Sequence, residues 1–337
     1  MPTSTNIRMP ISLTRLMVIG SLAGMTAAPL AAPLAAQATT NAATSPDSTV
    51  DQIKAMVSRL DLEQYKATVK GLTQFGDRRQ GTARNRAAVD WIEAQLKSYG
   101  CTPTARITYD FQPPPPRPPL TAEQIARFRT ARTGTNRPGP GGSLMRGKIN
   151  PTGVNTDSLR QPDLALRALD TPPSVPGERQ EVYCTKVGTT HPDEMYIVSG
   201  HMDGIGWGEA ANDDGSGAAL VMQLARVFSS PDIQTDRSIR FILWNNEETG
   251  LNGSRAYVAQ REGLQGKEDP AGSGKYPEPK WLGVIQHDMV MFDHGMPNAD
   301  GTMSKVQRPE ADVNVEFQSK SKFAEESQKL AWELADA

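Results

Sequence analysis

Residues 195–246 read MYIVSGHMDGIGWGEAANDDGSGAALVMQLARVFSSPDIQTDRSIRFILWNN. The apolar run MYIVSGH predicts a buried strand, and SGAALVMQLARVFSS repeats its apolar residues at helical spacing. RSIRFILWNN then predicts a second buried strand. Buried strands that alternate with helices are typical of α/β proteins, so this stretch indicates the layered α/β class.

The segments on either side extend the same pattern. Residues 50–99 have helical periodicity, CTPTARITYD and QEVYCTKVG have the composition of strands, and GLNGSRAYVAQRE and KWLGVIQHDMV predict a further helix and strand. We therefore expect an α/β three-layer sandwich, with a mostly parallel mixed sheet flanked by helices. The chain stops in an amphipathic helix, and we expect the C-terminal edge of the sheet to be incomplete.

A Pro/Gly-rich segment at about 112–181 interrupts this pattern. Its prolines and glycines are too dense to sustain a helix or a central strand. The segment is either an insertion between two strands or a disordered linker between two domains. We favour the insertion, because the strand-like runs on both sides belong in the same sheet. The predicted domain then runs from 51 to 337.

The N-terminus has the three parts of a secretory signal peptide. Arg8 and Arg15 precede a short apolar run, which ends in the Ala36-Gln37-Ala38 cleavage pattern. Prolines break the run, and it is shorter than the roughly 20 residues of a spanning helix. We expect a signal peptide at 1–38, a flexible N-terminus at 39–50, no stable membrane anchor after cleavage, and a secreted or periplasmic protein.

Composition narrows the class of partners. The chain has 337 residues and a formal net charge of -2, which gives no electrostatic case for binding nucleic acid or an anionic membrane. An oxidising compartment would permit a disulfide between Cys101 and Cys184. Two buried free thiols are the equally open alternative.

Acidic residues and a histidine follow the predicted strands at several places. They occur just beyond MYIVSG, in the loop before a helix, after RSIRFILW and at the end of LGVIQ. Ligands in open α/β sheets bind at the carboxyl ends of the strands, so these side chains are expected to converge. Imidazole and carboxylate groups are ligands for zinc. The candidates are His201, Asp203, Asp213, Glu247, Glu248 and Asp288.

The motifs GHMD, ANDDGSG, NNEETGLNGS and QHDM, in this order, resemble those of the co-catalytic zinc aminopeptidases, metallopeptidase family twenty-eight. The resemblance implies one role for each candidate. His201 is a metal ligand that Asp203 orients, Asp213 bridges two metals, Glu247 is the general base, and Glu248 and Asp288 are further ligands. The adjacent Asp214 is interpreted as a helix-start carboxylate instead.

The same resemblance implies a secreted zinc-dependent exopeptidase with two zinc ions per complete site. Its substrates would be peptides or small proteins, and aminopeptidase activity is the favoured direction. A glutaminyl cyclase-like enzyme, a carboxypeptidase-type member of the same fold, or a non-catalytic binding relative are the alternatives. The presence of Glu247 with four ligand-type residues argues against the non-catalytic alternative.

One part of the family pattern is missing. The family takes a final histidine ligand from a loop well after the last of these motifs, whereas the last histidine here is His294, six residues after Asp288. We therefore expect a chain truncated at its C-terminus. His294 could replace the missing ligand, although a solvated loop histidine is the favoured interpretation.

Overall fold

The computed structural model describes residues 48–113, 175–205, 208–291, 315–317 and 319–336, together with the single positions 121, 123 and 164. The predicted signal peptide, residues 39–47 and His294 lie outside the described residues. Within the described ranges, no helix is long and apolar enough to cross a membrane.

Among the described residues, three helices are followed by three strands, and from residue 191 onward strands and helices alternate as the sequence predicts. In chain order they are α1 (Ser48–Val57), α2 (Leu62–Thr73), α3 (Ala83–Ser98), β1 (Thr104–Phe111), β2 (Gly177–Lys186), β3 (His191–His201), α4 (Gly215–Phe228), β4 (Arg237–Trp244), α5 (Asn252–Arg261), β5 (Lys280–Gln286) and α6 (Ala324–Ala335). A short 3-10 turn, Glu262–Leu264, extends α5.

The five described strands form one sheet in the order β1-β2-β4-β3-β5. β3 is parallel to both β4 and β5, whereas β2 is antiparallel to both β1 and β4. The predicted mixed sheet flanked by helices is confirmed, with parallel and antiparallel pairings in equal number. Since β3, β4 and β5 are parallel, their carboxyl ends lie at one edge of the sheet.

Apolar side chains cover both faces of the sheet. Strand alternation sends Phe241 and Leu243 of β4 to one face and Ile242 and Trp244 to the other. The first face packs against α3 and α4, with α2 also contacting α4. The second face packs against Tyr257 of α5. Helices on both faces make the architecture a three-layer α/β sandwich.

Two predicted boundaries differ from the structure. Helix α1 already begins at Ser48, within the segment expected to be a flexible N-terminus. The first half of the helical pattern predicted for residues 50–99 forms two helices, α1 and α2. The chain starts a new helix at α2 because the side chain of Asp61 accepts hydrogen bonds from the backbone N–H groups of Glu63 and Gln64.

The Pro/Gly-rich segment lies between two paired strands. β1 ends at Phe111, β2 begins at Gly177, and the two strands pair antiparallel from Thr104–Cys184 to Phe111–Gly177. β1 ends one residue before the segment predicted to be an insertion, and β2 occupies residues 177–181, which had been counted as its last part. Most of 114–174 lies outside the described residues.

The two cysteines form a disulfide. Cys101, just before β1, is bonded to Cys184 in β2 with a Cα–Cα distance of 5.6 Å. The bond fastens the end of α3 to the sheet across 83 residues of sequence. Of the two alternatives open from the sequence, the structure has the bridge.

Replacing both cysteines by alanine should destabilise the protein. A covalent link across a long loop restricts the unfolded chain, and its loss is expected to lower the free energy of unfolding by about 2–4 kcal/mol. Urea denaturation in non-reducing buffer measures this change. Dithiothreitol should destabilise the wild type and leave the double variant unchanged; equal unfolding midpoints of the two proteins without dithiothreitol would contradict the prediction.

Candidate metal centre

His201 is the last residue of β3, and its side chain is almost fully buried, with 1% exposed. Its Nδ1 lies 2.9 Å from the main-chain carbonyl oxygen of Asp203 and 3.8 Å from the carboxylate Oδ1 of the same residue. The carbonyl can only accept, so Nδ1 is the protonated nitrogen and Nε2 is left free to bind a metal. The predicted orienting residue is thus in contact with His201, through its main chain.

Carboxylates from three other segments face Nε2 of His201. Asp213 Oδ1 lies 3.2 Å away, Asp288 Oδ2 3.8 Å and Glu247 Oε2 4.0 Å. Glu247 follows β4, Asp288 follows β5, and Asp213 lies between β3 and α4. The side chains converge because the three parallel strands end at one edge of the sheet. Three of the predicted acids, Asp213, Glu247 and Asp288, are thus brought together around one imidazole.

The segment from His201 to Asp214, named here the His201 loop, ends in two adjacent acids with different surroundings. Asp214 is fully buried, and its oxygens accept hydrogen bonds from the backbone N–H groups of His201, Gly217 and Met289. It caps α4, as the sequence predicts. The side chain of Asp213 is 32% exposed and faces Nε2.

One oxygen of Asp214 also falls within 4.8 Å of ligand atoms of His201 and Asp288. The two oxygens of Asp214 nevertheless accept hydrogen bonds from three backbone N–H groups. Asp213 makes no such bonds to these groups, and its Oδ1 lies 3.2 Å from His201 Nε2. The geometry therefore favours Asp213 as the carboxylate available to a metal and Asp214 as the residue that fixes the helix start.

Residues 245–249, named here the Glu247 turn, follow β4 directly. Asn246 has a left-handed backbone with a φ of 61°, which turns the chain sharply before the two glutamates. The backbone N–H of Glu247 donates to Asp203 Oδ1 at 3.0 Å. Asp203 thereby contacts both His201 and the Glu247 turn, and it fixes their relative positions.

Burial, and after it repulsion between neighbouring acids, raises the pKa values of several acids in the site. Burial, with repulsion from Asp213 and Asp203, raises the pKa of Glu248 to about 9. Burial also raises the pKa of Asp288, and repulsion from Asp213 adds to the rise. Burial opposes protonation of His201, yet Asp203 and Asp213 raise its pKa well above the ordinary value.

A bound divalent cation would relieve this repulsion. The imidazole nitrogen and the carboxylate oxygens of Asp213 and Asp288 are donors that suit zinc, and their convergence on one point fits a metal ion. The donor set therefore fits the predicted metal.

Comparison with known proteins agrees with this geometry. The profile of peptidase family M28 matches residues 181–331, the part of the chain that contains all six candidate residues. The matched stretch is 151 of the 337 residues, slightly less than half of the chain.

Individual relatives are similar over shorter stretches. Aminopeptidase YwaD of Bacillus subtilis (strain 168) is 44% identical over 68 residues, which are 20% of this chain and 14% of that protein. Carboxypeptidase Q of Xenopus laevis is 35% identical over 71 residues, 21% of this chain and 15% of that protein. The solved structure of BSAP, a zinc aminopeptidase from Bacillus subtilis, is 16% identical with a TM-score of 0.44, covering 68% of this chain and 70% of that chain.

A cavity of about 190 Å³ adjoins the candidate metal centre on the side of Glu247 and Asp288. Its walls combine the ring of Trp244 and the side chain of Leu251 with polar groups. The lining residues are Trp244, Asn245, Glu247, Leu251, Ser254, Gln286 and Asp288. The cavity is open beside the acids and gives room for part of a substrate.

The sequence did not indicate three buried polar residues beneath the candidate metal centre. Arg78 and Asn85 lie before the matched region, and Glu181 lies in β2; each is at least 98% buried. None of them follows a strand or belongs to a motif, so residue type and spacing gave no signal. A clue was available in the polar run GDRRQG just before α3, which is unusual for a segment that becomes buried.

Glu181 provides a test of the electrostatics under the site. Its Oε2 accepts a hydrogen bond from the backbone N–H of Asn245 at 3.2 Å, while Oε1 is buried without a hydrogen-bond partner among the described residues. Burial, and to a lesser degree repulsion from Asp203, raises the pKa of Glu181 from 4.5 to about 8. Glu181 is therefore protonated in the folded protein at neutral pH.

Glu181→Gln should change how stability depends on pH. Between the ordinary pKa and about 8, the folded wild type holds a proton that the unfolded chain releases, so its free energy of unfolding falls with rising pH, by at most about 1.4 kcal/mol per unit. The variant is neutral in both states, so its advantage over the wild type should grow from pH 5 to 8. Denaturant titrations measure it, with exposed Glu178→Gln as control; a constant difference would contradict the prediction.

Proposed function

We propose that this chain is a zinc-dependent exopeptidase that removes N-terminal residues from peptides. The observation that carries the proposal is the convergence of Asp213, Asp288 and Glu247 on the buried Nε2 of His201, at 3.2, 3.8 and 4.0 Å. The match of residues 181–331 to the profile of peptidase family M28 supports peptide-bond hydrolysis.

Four residues would hold the metal. His201, Asp213 and Asp288 would bind one zinc ion, and Asp213 with Glu248 would bind a second. Bound zinc supplies a Lewis acid for the peptide carbonyl and lowers the pKa of water. Since Asp213 has two carboxylate oxygens and a partly exposed side chain, it can serve both ions.

Glu247 would move the proton. Its side chain is 29% exposed, it faces the metal centre, and its backbone is held by Asp203. Burial raises the pKa of Glu247, and repulsion from Asp203 adds to the rise, while His201 opposes it. A raised pKa suits a group that takes a proton from the attacking water and returns it to the leaving amine at near-neutral pH.

The excess of acidic groups favours the aminopeptidase direction. A substrate's free ammonium group would be attracted to a cluster of carboxylates, whereas a free C-terminal carboxylate would be repelled by it. Arg78 is the cation that lies behind this cluster, and its donors are occupied by main-chain carbonyls. The named relatives include both an aminopeptidase and a carboxypeptidase, so the direction is open to a direct test.

Three peptides distinguish the alternatives. One has a free N-terminus and an amidated C-terminus, the second is N-acetylated with a free C-terminus, and the third begins with glutamine. Mass spectrometry of zinc-loaded reactions should show stepwise N-terminal trimming of the first and third peptides and none of the second. Trimming of the second would assign a carboxypeptidase, and loss of ammonia without trimming of the third would assign a glutaminyl cyclase; either result overturns the proposal.

We further propose that the mature protein begins after residue 38 and is secreted or periplasmic. The Cys101–Cys184 disulfide supports an oxidising compartment. Mass determination of the protein from the native culture tests this proposal. A mature N-terminus near residue 39 in the extracellular or periplasmic fraction is expected, and an intact N-terminus in the cytoplasmic fraction would contradict it.

A further inference from the structure

The His201 loop and the Glu247 turn are both attached to residues 78–85, which lie outside the M28 match. We propose that Arg78 and Asn85 are positioning residues, which hold the two segments in one arrangement and so set the place of Glu247 relative to His201. This inference rests on the proposed function, and it concerns groups that contact neither substrate nor metal.

Arg78 holds the His201 loop. Its guanidinium is fully buried, with Nε donating to the carbonyl oxygen of Met202 at 2.7 Å. Its Nη1 donates to Glu209 at 2.8 Å and its Nη2 to Ala210 at 2.7 Å, again at main-chain oxygens. A rigid planar fork that binds three carbonyls at once fixes the positions of these three carbonyls relative to one another.

The charge of Arg78 also matters to this loop. Burial lowers the pKa of Arg78 to about 10, against the favourable charges of nearby acids led by Asp203 and Asp214. The side chain therefore remains a cation at neutral pH. It places a fixed positive charge behind the acids, while its hydrogen bonds go to the backbone and leave the carboxylates to other partners.

Asn85 holds the Glu247 turn. Its Nδ2 donates to Asn245 Oδ1 at 3.0 Å, and Asn245 Nδ2 donates to Asn85 Oδ1 at 2.9 Å. Each amide also donates to a main-chain carbonyl, Asn85 to Arg78 at 2.7 Å and Asn245 to Gln180 at 2.7 Å. These additional bonds fix the orientation of both amides, because only the nitrogen of an amide can donate.

The hydrogen bonds form a closed circuit. Asn245 Oδ1 accepts from the backbone N–H of Asn246 at 2.9 Å, which leads into the Glu247 turn. Glu247 is bonded through its N–H to Asp203 in the His201 loop. That loop returns to Arg78, and the main-chain oxygen of Arg78 accepts from Asn85. A change at Asn85 is therefore transmitted to both segments.

The experiment compares Asn85→Leu, Asn85→Ser and Arg78→Lys with the wild type. Leucine has the same branched arrangement of heavy atoms as asparagine but no polar group, and serine is a smaller replacement if the leucine variant fails to fold. Lysine keeps the charge of Arg78 without its fork. Val89→Ala, buried one turn further along α3, is the matched control, because it weakens the core without touching the circuit.

Amide hydrogen exchange of the metal-free proteins is the first readout. We expect Asn85→Leu or Asn85→Ser to speed exchange about 10-fold or more in peptides from both the His201 loop and the Glu247 turn. Arg78→Lys should speed exchange more in the His201 loop than in the Glu247 turn. Val89→Ala should raise exchange only through global unfolding. If the Asn85 variants show the same exchange as Val89→Ala, the proposal is overturned.

Kinetics of the zinc-loaded proteins are the second readout. Because a displacement of about 1 Å at a catalytic group can cost about 100-fold, the Asn85 variants should lose kcat by about 10- to 100-fold with KM changed less than about threefold. Zinc affinity, from competition with a chelator, should weaken less than kcat. If the wild type itself fails to cleave peptides, the proposed function fails, while the exchange data still decide the coupling.

Discussion

Glu247→Gln is expected to abolish peptide cleavage while zinc stays bound. Glutamine has the shape of glutamate but cannot take up the proton of the attacking water, and removal of a general base costs about 100- to 10,000-fold in rate. The residue is a proton carrier in the proposal rather than a zinc ligand, so the zinc content should remain that of the wild type. Initial rates with the N-terminally free peptide, paired with elemental analysis of the same samples, measure both quantities.

The control for this substitution is Glu262→Gln, which makes the same change at an exposed site after α5. It should retain full activity and full zinc content. Turnover by Glu247→Gln within about twofold of the wild type would exclude Glu247 as the base, since such a change is far below the effect of general-base removal. Loss of zinc together with activity would instead make Glu247 a ligand.

Glu278→Ala should cause the largest loss of stability. Glu278 forms an ion pair with Arg240, and both side chains are almost completely buried. Removal of one partner leaves the guanidinium of Arg240 as an unpaired charge in the core, which costs about 3–5 kcal/mol. Arg240 would keep its hydrogen bonds to Thr185 and Pro277, but neither partner carries a charge. The free energy of unfolding from urea titration measures the loss.

A second ion pair on the same strand provides the matched control. Arg237 and Glu194 are bonded at 2.7 Å, with 30% and 26% of their side chains exposed. Because solvent screens this pair, Glu194→Ala should cost less than about 1 kcal/mol. Equal losses of unfolding free energy in Glu278→Ala and Glu194→Ala would contradict the prediction that the buried ion pair of Arg240 contributes more to stability than the exposed pair.

The convergence of the site could be predicted from sequence because it follows from strand direction. Each of His201, Glu247 and Asp288 lies at or just after the carboxyl end of a strand, and parallel strands bring those ends together. Asp214 was also assigned correctly, since an aspartate just before a glycine and a long apolar helix has the position of a helix cap.

Helix α4 packs against the sheet through both small and large side chains. Ala219 and Met222 are fully buried, whereas Leu220 and Leu224, which repeat at helical spacing, are only half-buried. Helical spacing of the largest apolar residues therefore does not by itself identify the most deeply buried face of α4.

The support beneath the site could not be predicted from local pattern. Arg78 and Asn85 meet their partners across more than 120 and 150 residues of sequence, respectively, and the geometry that joins them exists only in the folded sheet. Their residue types are common on protein surfaces, so burial is what gives them meaning. The equal share of antiparallel pairings has a similar origin, because strand direction in β1 and β2 depends on long-range pairing.

His201, Asp213 and Asp288 are proposed to bind zinc. Zinc per chain can be measured by elemental mass spectrometry in purified wild type and His201→Ala after dialysis against zinc-free buffer. Because imidazole is a strong zinc donor, we expect that the wild type retains zinc and that His201→Ala holds about one ion fewer per chain. The same zinc content in both proteins, or none in the wild type, would contradict this proposal.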